Sequence, residues 1–139
     1  MQKLIAFFAV VAMFFGCSTR TVLAEDNSKM QDKKVRFIAI YDDKCQWSCG
    51  VVKPLVEGLK KDYGQKVDFF ELNTSKGKIA DSTKLAKELG VESFFTSSMA
   101  YIPCVGVFTK SGKLVKEIPA AKPKEMYVKF IDKALAAKN

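Results

Sequence analysis

Apolar and polar residues alternate with two different periods from residue 35 onward, which predicts both strands and helices. The run Val35–Tyr41 is almost entirely apolar, as expected of a strand that is buried on both faces. From about Cys49 to Tyr63 the apolar residues recur at helical spacing, and Gly64 is suited to end that helix. The first structural unit is therefore predicted to be a strand that leads directly into a helix.

The remaining elements are predicted from the same patterns, with glycine and proline marking several of the breaks between them. They are a strand at Val67–Leu72, a short helix capped by Asp81 or Ser82 and closed by Gly90, a loop at Val91–Tyr101, strands at Cys104–Thr109 and Lys113–Ile118 joined by a turn at Ser111–Gly112, and a final helix from about Pro123. The order is β-α-β-α-β-β-α, in which the last two strands form a hairpin. This order predicts one α/β domain over residues 35–139.

The N-terminal segment has the composition of an export signal. A positively charged start precedes the apolar run Leu4–Gly16, which is short for a membrane span, and the small residues Val22–Ala24 form a cleavage pattern. We therefore predict a signal peptide at residues 1–24 and a flexible lead-in at residues 25–34. Removal of this signal places the domain in the periplasm or elsewhere outside the cytoplasm.

Cys17 supports a second interpretation of the same segment. Gly16, Cys17 and Ser18 close the apolar run in the manner of a lipoprotein processing site, in which Cys17 carries the lipid. Phe14 stands where such sites usually have an aliphatic residue. Cleavage near Ala24 is therefore the preferred interpretation, and lipid anchoring at Cys17 is the alternative.

The residue composition excludes several kinds of site. The 139-residue chain has no histidine, which rules out catalytic triads with an imidazole base and metal sites that need an imidazole ligand. The formal net charge is +8, but the lysines are spread over predicted helices and turns without interleaved aromatic residues. This distribution is typical of a solvated surface, so we expect no binding to nucleic acid. We also expect a monomer without a bound cofactor.

Cys45 and Cys49 lie at the predicted junction between the first strand and the first helix. Unpaired backbone N–H groups at a helix N-terminus favour a thiolate, and a thiolate beside a second sulfur is the minimum requirement for thiol–disulfide exchange. Residues four apart at a helix start lie roughly 6 Å apart at Cα, which a disulfide can bridge. A permanent disulfide is the alternative, and Cys104 is either a third redox residue or a small buried apolar one.

Two segments match the pattern of a known family in order and spacing. Pro54 follows Cys49 by five residues, and Tyr101–Gly112 places an Ile-Pro pair before a strand and a glycine turn. Together with the order of elements, these segments resemble the thioredoxin family over about residues 35–137. The resemblance implies a thioredoxin-like α/β fold with a four-stranded mixed sheet flanked by three helices. It also implies that Pro103 follows a cis peptide bond and packs against the active-site sulfurs.

Three positions depart from the family's pattern. The cysteines are spaced Cys-x-x-x-Cys, one residue wider than the family's motif. The acidic residue that the family buries beneath the cysteines has no counterpart, because its position falls near Ile40 in an apolar strand. Cys104 stands where the family usually has threonine after the cis proline. The redox poise therefore cannot be transferred from Cys-x-x-Cys relatives.

Roles for individual residues follow from this resemblance and from their positions. Cys45 is predicted to be the nucleophile, and Cys49, more buried at the helix start, the resolving cysteine. Lys44 favours the Cys45 thiolate, whereas Asp42 and Asp43 oppose it, so the net electrostatic effect stays open. The residues predicted to support the pair are Trp47, Ile102, Pro103 and Cys104.

The leading functional hypothesis is an exported thiol–disulfide oxidoreductase that acts on protein thiols or disulfides through Cys45 and Cys49. The chain lacks room for the helical insertion of the exported oxidases of this family, which slightly favours a reductase, and a membrane electron donor or acceptor is a further candidate partner. One alternative is a Cu(I)-binding module that completes its site with Cys104 or Met99. The other is a redox-inert protein-binding domain.

Overall fold

The computed structural model describes residues 33–138 of the chain. Its elements are, in chain order, β1 (Val35–Tyr41), α1 (Trp47–Tyr63), β2 (Val67–Asn73), α2 (Ile79–Glu88), α3 (Glu92–Ser98), β3 (Cys104–Phe108), β4 (Leu114–Pro119) and α4 (Lys124–Ala136). The predicted signal peptide at residues 1–24, the alternative lipid attachment at Cys17 and most of the predicted lead-in at 25–34 lie outside the described residues. None of the described helices is both long enough and apolar enough to cross a bilayer.

The strands form one mixed sheet of four strands in the order β2-β1-β3-β4. β1 pairs in parallel with β2 and antiparallel with β3, which in turn pairs antiparallel with β4. The central position of β1 agrees with its apolar sequence, because a strand with neighbours on both sides and helices on both faces is removed from water. The predicted α/β fold with a four-stranded mixed sheet is thus confirmed.

Side chains of β1 alternate between two apolar layers. Phe37 and Ala39 pack on the face covered by α1 and α4, whereas Ile38 and Ile40 pack on the face covered by α2 and α3. We refer to these as the α1/α4 face and the α2/α3 face. Burial of both layers away from water supplies the main driving force for folding of the domain.

The described part of the chain contains four helices, so the prediction of three was wrong. The segment Val91–Tyr101, predicted to be a loop, contains α3, whose Phe94, Phe95 and Ser98 are buried. The segment is rich in serine and lacks a side-chain cap, so its sequence carries no strong helix signal. The intrinsic helix propensity of this segment is too low to form a helix. Packing of the two phenylalanines on the α2/α3 face stabilises it.

The starts of two helices also differ from the prediction. α1 begins at Trp47, which places Cys49 inside the first helical turn. α2 begins upstream of both predicted caps, Asp81 and Ser82, so neither residue caps it. The Ser82 hydroxyl instead donates to the Asn73 carbonyl over 2.9 Å and accepts from the Asn73 N–H over 2.8 Å. Ser82 therefore ties α2 to the end of β2.

Gly106 in β3 allows α3 to lie close to the sheet. A Cβ atom at this position would come within 2.6 Å of the Phe94 ring and 2.7 Å of the Phe108 ring. Those two rings pack edge to face, with centroids 5.3 Å apart. A side chain at Gly106 therefore requires the aromatic pair to move in a closely packed layer.

Gly106→Ala is expected to destabilise the domain by about 1–3 kcal/mol, because the added methyl group overlaps both rings. Urea unfolding followed by circular dichroism measures the change. Gly58→Ala is the matched control: Gly58 lies within α1 with no atom within 4 Å of the added Cβ. This variant should stabilise the protein by about 0.5–1 kcal/mol. Equal stability of the two variants would contradict the close contact at Gly106.

Candidate active site at the start of helix α1

Cys45 and Cys49 occupy the junction between β1 and α1. Cys45 lies in the loop before α1 and is partly exposed, whereas Cys49 lies in the first turn of α1 with only 1% of its surface exposed. Both are free thiols, and the two side chains are close enough to interact. The structure thus brings the two predicted redox residues together, one in an outer and one in an inner position.

No acidic side chain competes for the free backbone N–H groups at the start of α1. Gln46 precedes the helix without a side-chain capping bond, and the first turn contains no acidic residue. The Cys45 N–H donates to the Asp42 carbonyl over 3.1 Å, which helps to turn the chain into the helix. A thiolate at this helix start is therefore favoured by the positive end of the helix dipole.

Burial controls the protonation of Cys49. Loss of solvent and, secondarily, the interaction with Cys45 raise the pKa of the Cys49 thiol to about 11. The backbone of Asp42 and the Lys53 ammonium lower this pKa, but by less. Cys49 is therefore protonated at neutral pH in the reduced protein.

Pro103 lies at the same edge of the sheet as the two cysteines. β1 and β3 are antiparallel, and the pairing of Ile40 with Cys104 places the start of β3 next to the end of β1. The Ile102–Pro103 peptide bond is cis, as the resemblance implied. Pro103 is buried, Ile102 is half-buried, and the Pro103 carbonyl accepts a hydrogen bond from the Ala120 N–H over 2.8 Å. These contacts hold the segment at the edge that carries the thiols.

Cys104 and Cys49 lie on opposite faces of the sheet. Cys104 is fully buried in the layer on the α2/α3 face, whereas Cys49 lies beside Ala39 of the α1/α4 face. The Cys104 thiol donates to the Glu117 carboxylate over 3.6 Å, and the buried Ser98 hydroxyl donates to the same oxygen over 3.1 Å. Cys104 therefore belongs to a polar cluster with Ser98 and Glu117, separate from Cys49.

Within residues 33–138, no group of three or more histidine, cysteine, aspartate or glutamate side chains is arranged to hold a metal ion. Cys104 lies across the sheet from Cys49, so it is not placed to be the third ligand considered for Cu(I). Met99, the other candidate ligand, also packs in the layer on the α2/α3 face. The described residues therefore give no support to the copper hypothesis.

Large apolar side chains are exposed around the thiols. Trp47, between the two cysteines in sequence, is 91% exposed, and Val51, one turn further along α1, is 57% exposed. Tyr101, two residues before Pro103, is 64% exposed. Exposed apolar groups of this size at one edge are typical of a surface that contacts another molecule.

A small cavity behind Cys49 includes charged residues that the sequence analysis did not identify. Its lining consists of Ala39, Tyr41, Cys49, Val52, Lys53, Val56 and Glu71. The Glu71 carboxylate accepts hydrogen bonds from the Lys60 ammonium over 2.7 Å and from the Tyr41 hydroxyl over 2.8 Å, and both lower its pKa. An acid is therefore present behind the cysteine after all, and it comes from β2 rather than β1.

Strand alternation is the signal that could have identified Glu71. Asp68 and Glu71 are three residues apart in β2, so they point to opposite faces of the sheet. One of the two carboxylates must therefore face the helix that carries Cys49. How deeply that carboxylate is buried depends on the register that pairs Glu71 with Ala39. Local sequence does not determine this register.

Asp43 connects the loop that carries Cys45 to the loop after β2. Its carboxylate accepts hydrogen bonds from the Lys78 ammonium over 2.8 Å and from the Asn73 amide over 2.9 Å, and both contacts lower its pKa. Its backbone N–H donates to the Ser75 hydroxyl over 2.7 Å. The negative charge of Asp43 is therefore balanced by the Lys78 ammonium.

Known structures show the same architecture. No protein-family model and no curated protein matches the sequence. A candidate thiol:disulfide interchange protein DsbE from Chlorobium tepidum matches with a TM-score of 0.56 at 15% sequence identity, covering 76% of this chain and 82% of that chain. A thioredoxin from Malassezia sympodialis matches with a TM-score of 0.50 at 21% identity, covering 75% of this chain and 77% of that chain. The chain has the thioredoxin fold.

This thioredoxin fold carries a Cys-x-x-x-Cys motif at the edge where β1 ends and β3 begins. The wider spacing leaves Cys45 before the helix and places Cys49 within it. The fold thus accounts for the position of the cysteine pair at the same edge of the sheet as Pro103.

Ionisation of Cys104 is expected to lower stability at alkaline pH. Burial raises the pKa of this thiol from its ordinary value of 9.0 to about 11, so between those values the unfolded chain releases the proton while the folded protein retains it. The free energy of unfolding should therefore fall as the pH rises from about 9 to about 11. Urea unfolding of the reduced protein at closely spaced pH values measures this slope.

Cys104→Ala is the control for that slope. It should show a shallower decline, because the Cys49 thiol, the tyrosines and the lysines with a raised pKa then still contribute but Cys104 does not. Parallel declines in the two proteins would show that Cys104 is not the group that titrates.

Proposed function

We propose that this protein is an exported thiol–disulfide oxidoreductase that exchanges disulfides with protein substrates through Cys45 and Cys49. The observation that carries the proposal is the arrangement of two free thiols, one partly exposed before α1 and one buried in its first turn. The thioredoxin fold, shared with a candidate DsbE, supports the same chemistry.

Exchange proceeds in two substitution steps at sulfur. The Cys45 thiolate attacks one sulfur of a substrate disulfide, forming a mixed disulfide and releasing the other substrate sulfur as a thiolate that takes a proton from water. The Cys49 thiolate then attacks the Cys45 sulfur, which forms the Cys45–Cys49 disulfide and releases the second substrate thiolate. Two electrons pass to the substrate, and the reverse sequence oxidises a substrate dithiol.

Exposure determines which cysteine attacks first. Cys45 is accessible to a disulfide on another protein, whereas Cys49, with 1% of its surface exposed, reaches only a sulfur already attached to its neighbour. Attack by Cys45 therefore precedes resolution by Cys49.

The substrate is an extended polypeptide segment with apolar residues beside its cysteine. Trp47 and Val51 offer apolar contact on the helix side of Cys45, and Tyr101 offers it on the side of Pro103. An extended segment that lies along the chain before Pro103 can also pair with its backbone.

Export follows from the signal-like residues 1–24, with cleavage near Ala24, or lipid anchoring at Cys17 as the alternative. We favour reduction of substrates over oxidation. The exported oxidases of the thioredoxin family carry a large helical insertion, and the elements between residues 33 and 138 leave no room for one. A reductase outside the cytoplasm needs a source of electrons, and a membrane dithiol donor is the class of partner that would restore the two thiols.

Equilibration with glutathione redox buffers should convert two thiols into one disulfide reversibly. Alkylation of the remaining thiols, read by intact and peptide mass, locates the pair, and its midpoint distinguishes a reductase from an oxidase. The transition should vanish in Cys45→Ser and in Cys49→Ser and persist in Cys104→Ser. A pair that opens only under strong reduction would indicate a structural disulfide and contradict the proposal.

Cys49→Ser is expected to accumulate the mixed disulfide, because Cys45 still attacks while release is lost. Incubation with a disulfide-containing peptide, followed by non-reducing mass analysis, should show the peptide attached at Cys45. Cys45→Ser is the matched control and should capture no peptide, because Cys49 is buried. Equal capture by the two variants would contradict the assignment of Cys45 as the nucleophile and Cys49 as the resolving cysteine.

A further inference from the structure

The resolving step requires a thiolate at Cys49, although burial of this residue favours the neutral thiol. Charges that face its sulfur therefore affect the rate of this step. The titratable groups around Cys49 are Tyr41 of β1, Asp43 and Cys45 of the following loop, Lys53 of α1 and Glu71 of β2. Lys53 is the cation among the residues that line the cavity behind Cys49.

Two contacts hold the Lys53 ammonium at this cavity. Lys53 follows Cys49 by four residues in α1, so the two side chains lie on the same face of the helix. Its Nζ atom lies 4.4 Å from the centroid of the Tyr41 ring and 3.9 Å from Asp43 Oδ1. The aromatic face attracts the ammonium, while the aliphatic part of the lysine covers apolar surface.

Both carboxylates near Lys53 are engaged more closely by other cations. Glu71 accepts a hydrogen bond from Lys60 Nζ at 2.7 Å, and Asp43 accepts one from Lys78 Nζ at 2.8 Å. The contact between Lys53 and Asp43 is longer, at 3.9 Å. The positive charge of Lys53 is therefore only partly balanced, and it acts on Cys49.

We propose that Lys53 is a positioning residue for the resolving step, in which its ammonium, held by Tyr41 and Asp43, stabilises the Cys49 thiolate. The inference rests on the exchange function proposed above. During resolution the Cys49 proton passes to solvent, Lys53 keeps all of its protons, and the Cys49 thiolate attacks the Cys45 sulfur as the substrate thiolate leaves. Lys53 thus raises the thiolate population without exchanging a proton. The direction of its effect on the pKa of Cys49, which is downward, agrees with this role.

Site-resolved alkylation tests this role without requiring exchange activity. In the full-length Cys45→Ser protein, the rate of iodoacetamide labelling at Cys49 across pH, read by peptide mass, reports the thiolate fraction. Lys53→Met keeps the length of the side chain and removes its charge, so labelling below the Cys49 pKa should slow by about three- to tenfold.

Two further variants separate charge from packing. Lys53→Arg should restore most of the labelling rate, and Lys61→Met, an exposed position further along α1, should leave the rate unchanged. An unchanged rate in Lys53→Met would overturn the inference. Equal slowing in Lys53→Met and Lys53→Arg would also overturn it, because packing rather than charge would then be responsible.

Release of a peptide from the mixed disulfide is the second readout, in protein that retains both Cys45 and Cys49. Lys53→Met should form the mixed disulfide at the rate of the parent protein and release the peptide about three- to tenfold more slowly. Unchanged release would overturn the role in resolution. If no variant forms a mixed disulfide, the proposed function fails, while the labelling result still decides whether Lys53 acts on Cys49.

Discussion

The double burial of β1 is the constraint on which the rest of the structure depends. Water is excluded from both faces of Phe37–Ile40, so the strand must lie inside the sheet and must have helices above and below it. Because β3 runs antiparallel beside β1, the end of β1 and the start of β3 meet at one edge. Strand pairing, rather than any contact of their own, therefore brings the thiols of Cys45 and Cys49 to the edge that carries Pro103.

The elements that the sequence predicts correctly are those whose pattern is local. The apolar run of β1 and the helical spacing of α1 each suffice to identify an element, and the Ile-Pro pair before β3 suffices to identify the cis bond by resemblance. α3 is different, because Phe94 and Phe95 stabilise it through a layer assembled from distant strands. No window of sequence around α3 contains that layer, so the segment has the pattern of a loop.

The candidate site divides in the same way. The position of the two thiols is predictable, because Cys45 and Cys49 are close in sequence and lie between a strand and a helix. The charges around Cys49 are not predictable from local sequence. Glu71 reaches the cavity because of the register in which β2 pairs with β1, and Lys53 reaches it because of the orientation of α1 on the sheet. The same limit applies to Cys104, whose pairing with Ile40 determines the face on which its thiol is buried.

Trp47 is the only tryptophan in the chain; it lies between Cys45 and Cys49 in sequence, and its side chain is almost fully exposed to solvent. A disulfide formed beside it, or a polypeptide laid over it, changes the polarity and the quenching of a single indole. Emission excited at the red edge of indole absorption therefore comes from one known place in the molecule. If the proposed function is correct, the fluorescence of this one indole reports both the formation of a Cys45–Cys49 disulfide and the binding of a polypeptide, without an added label.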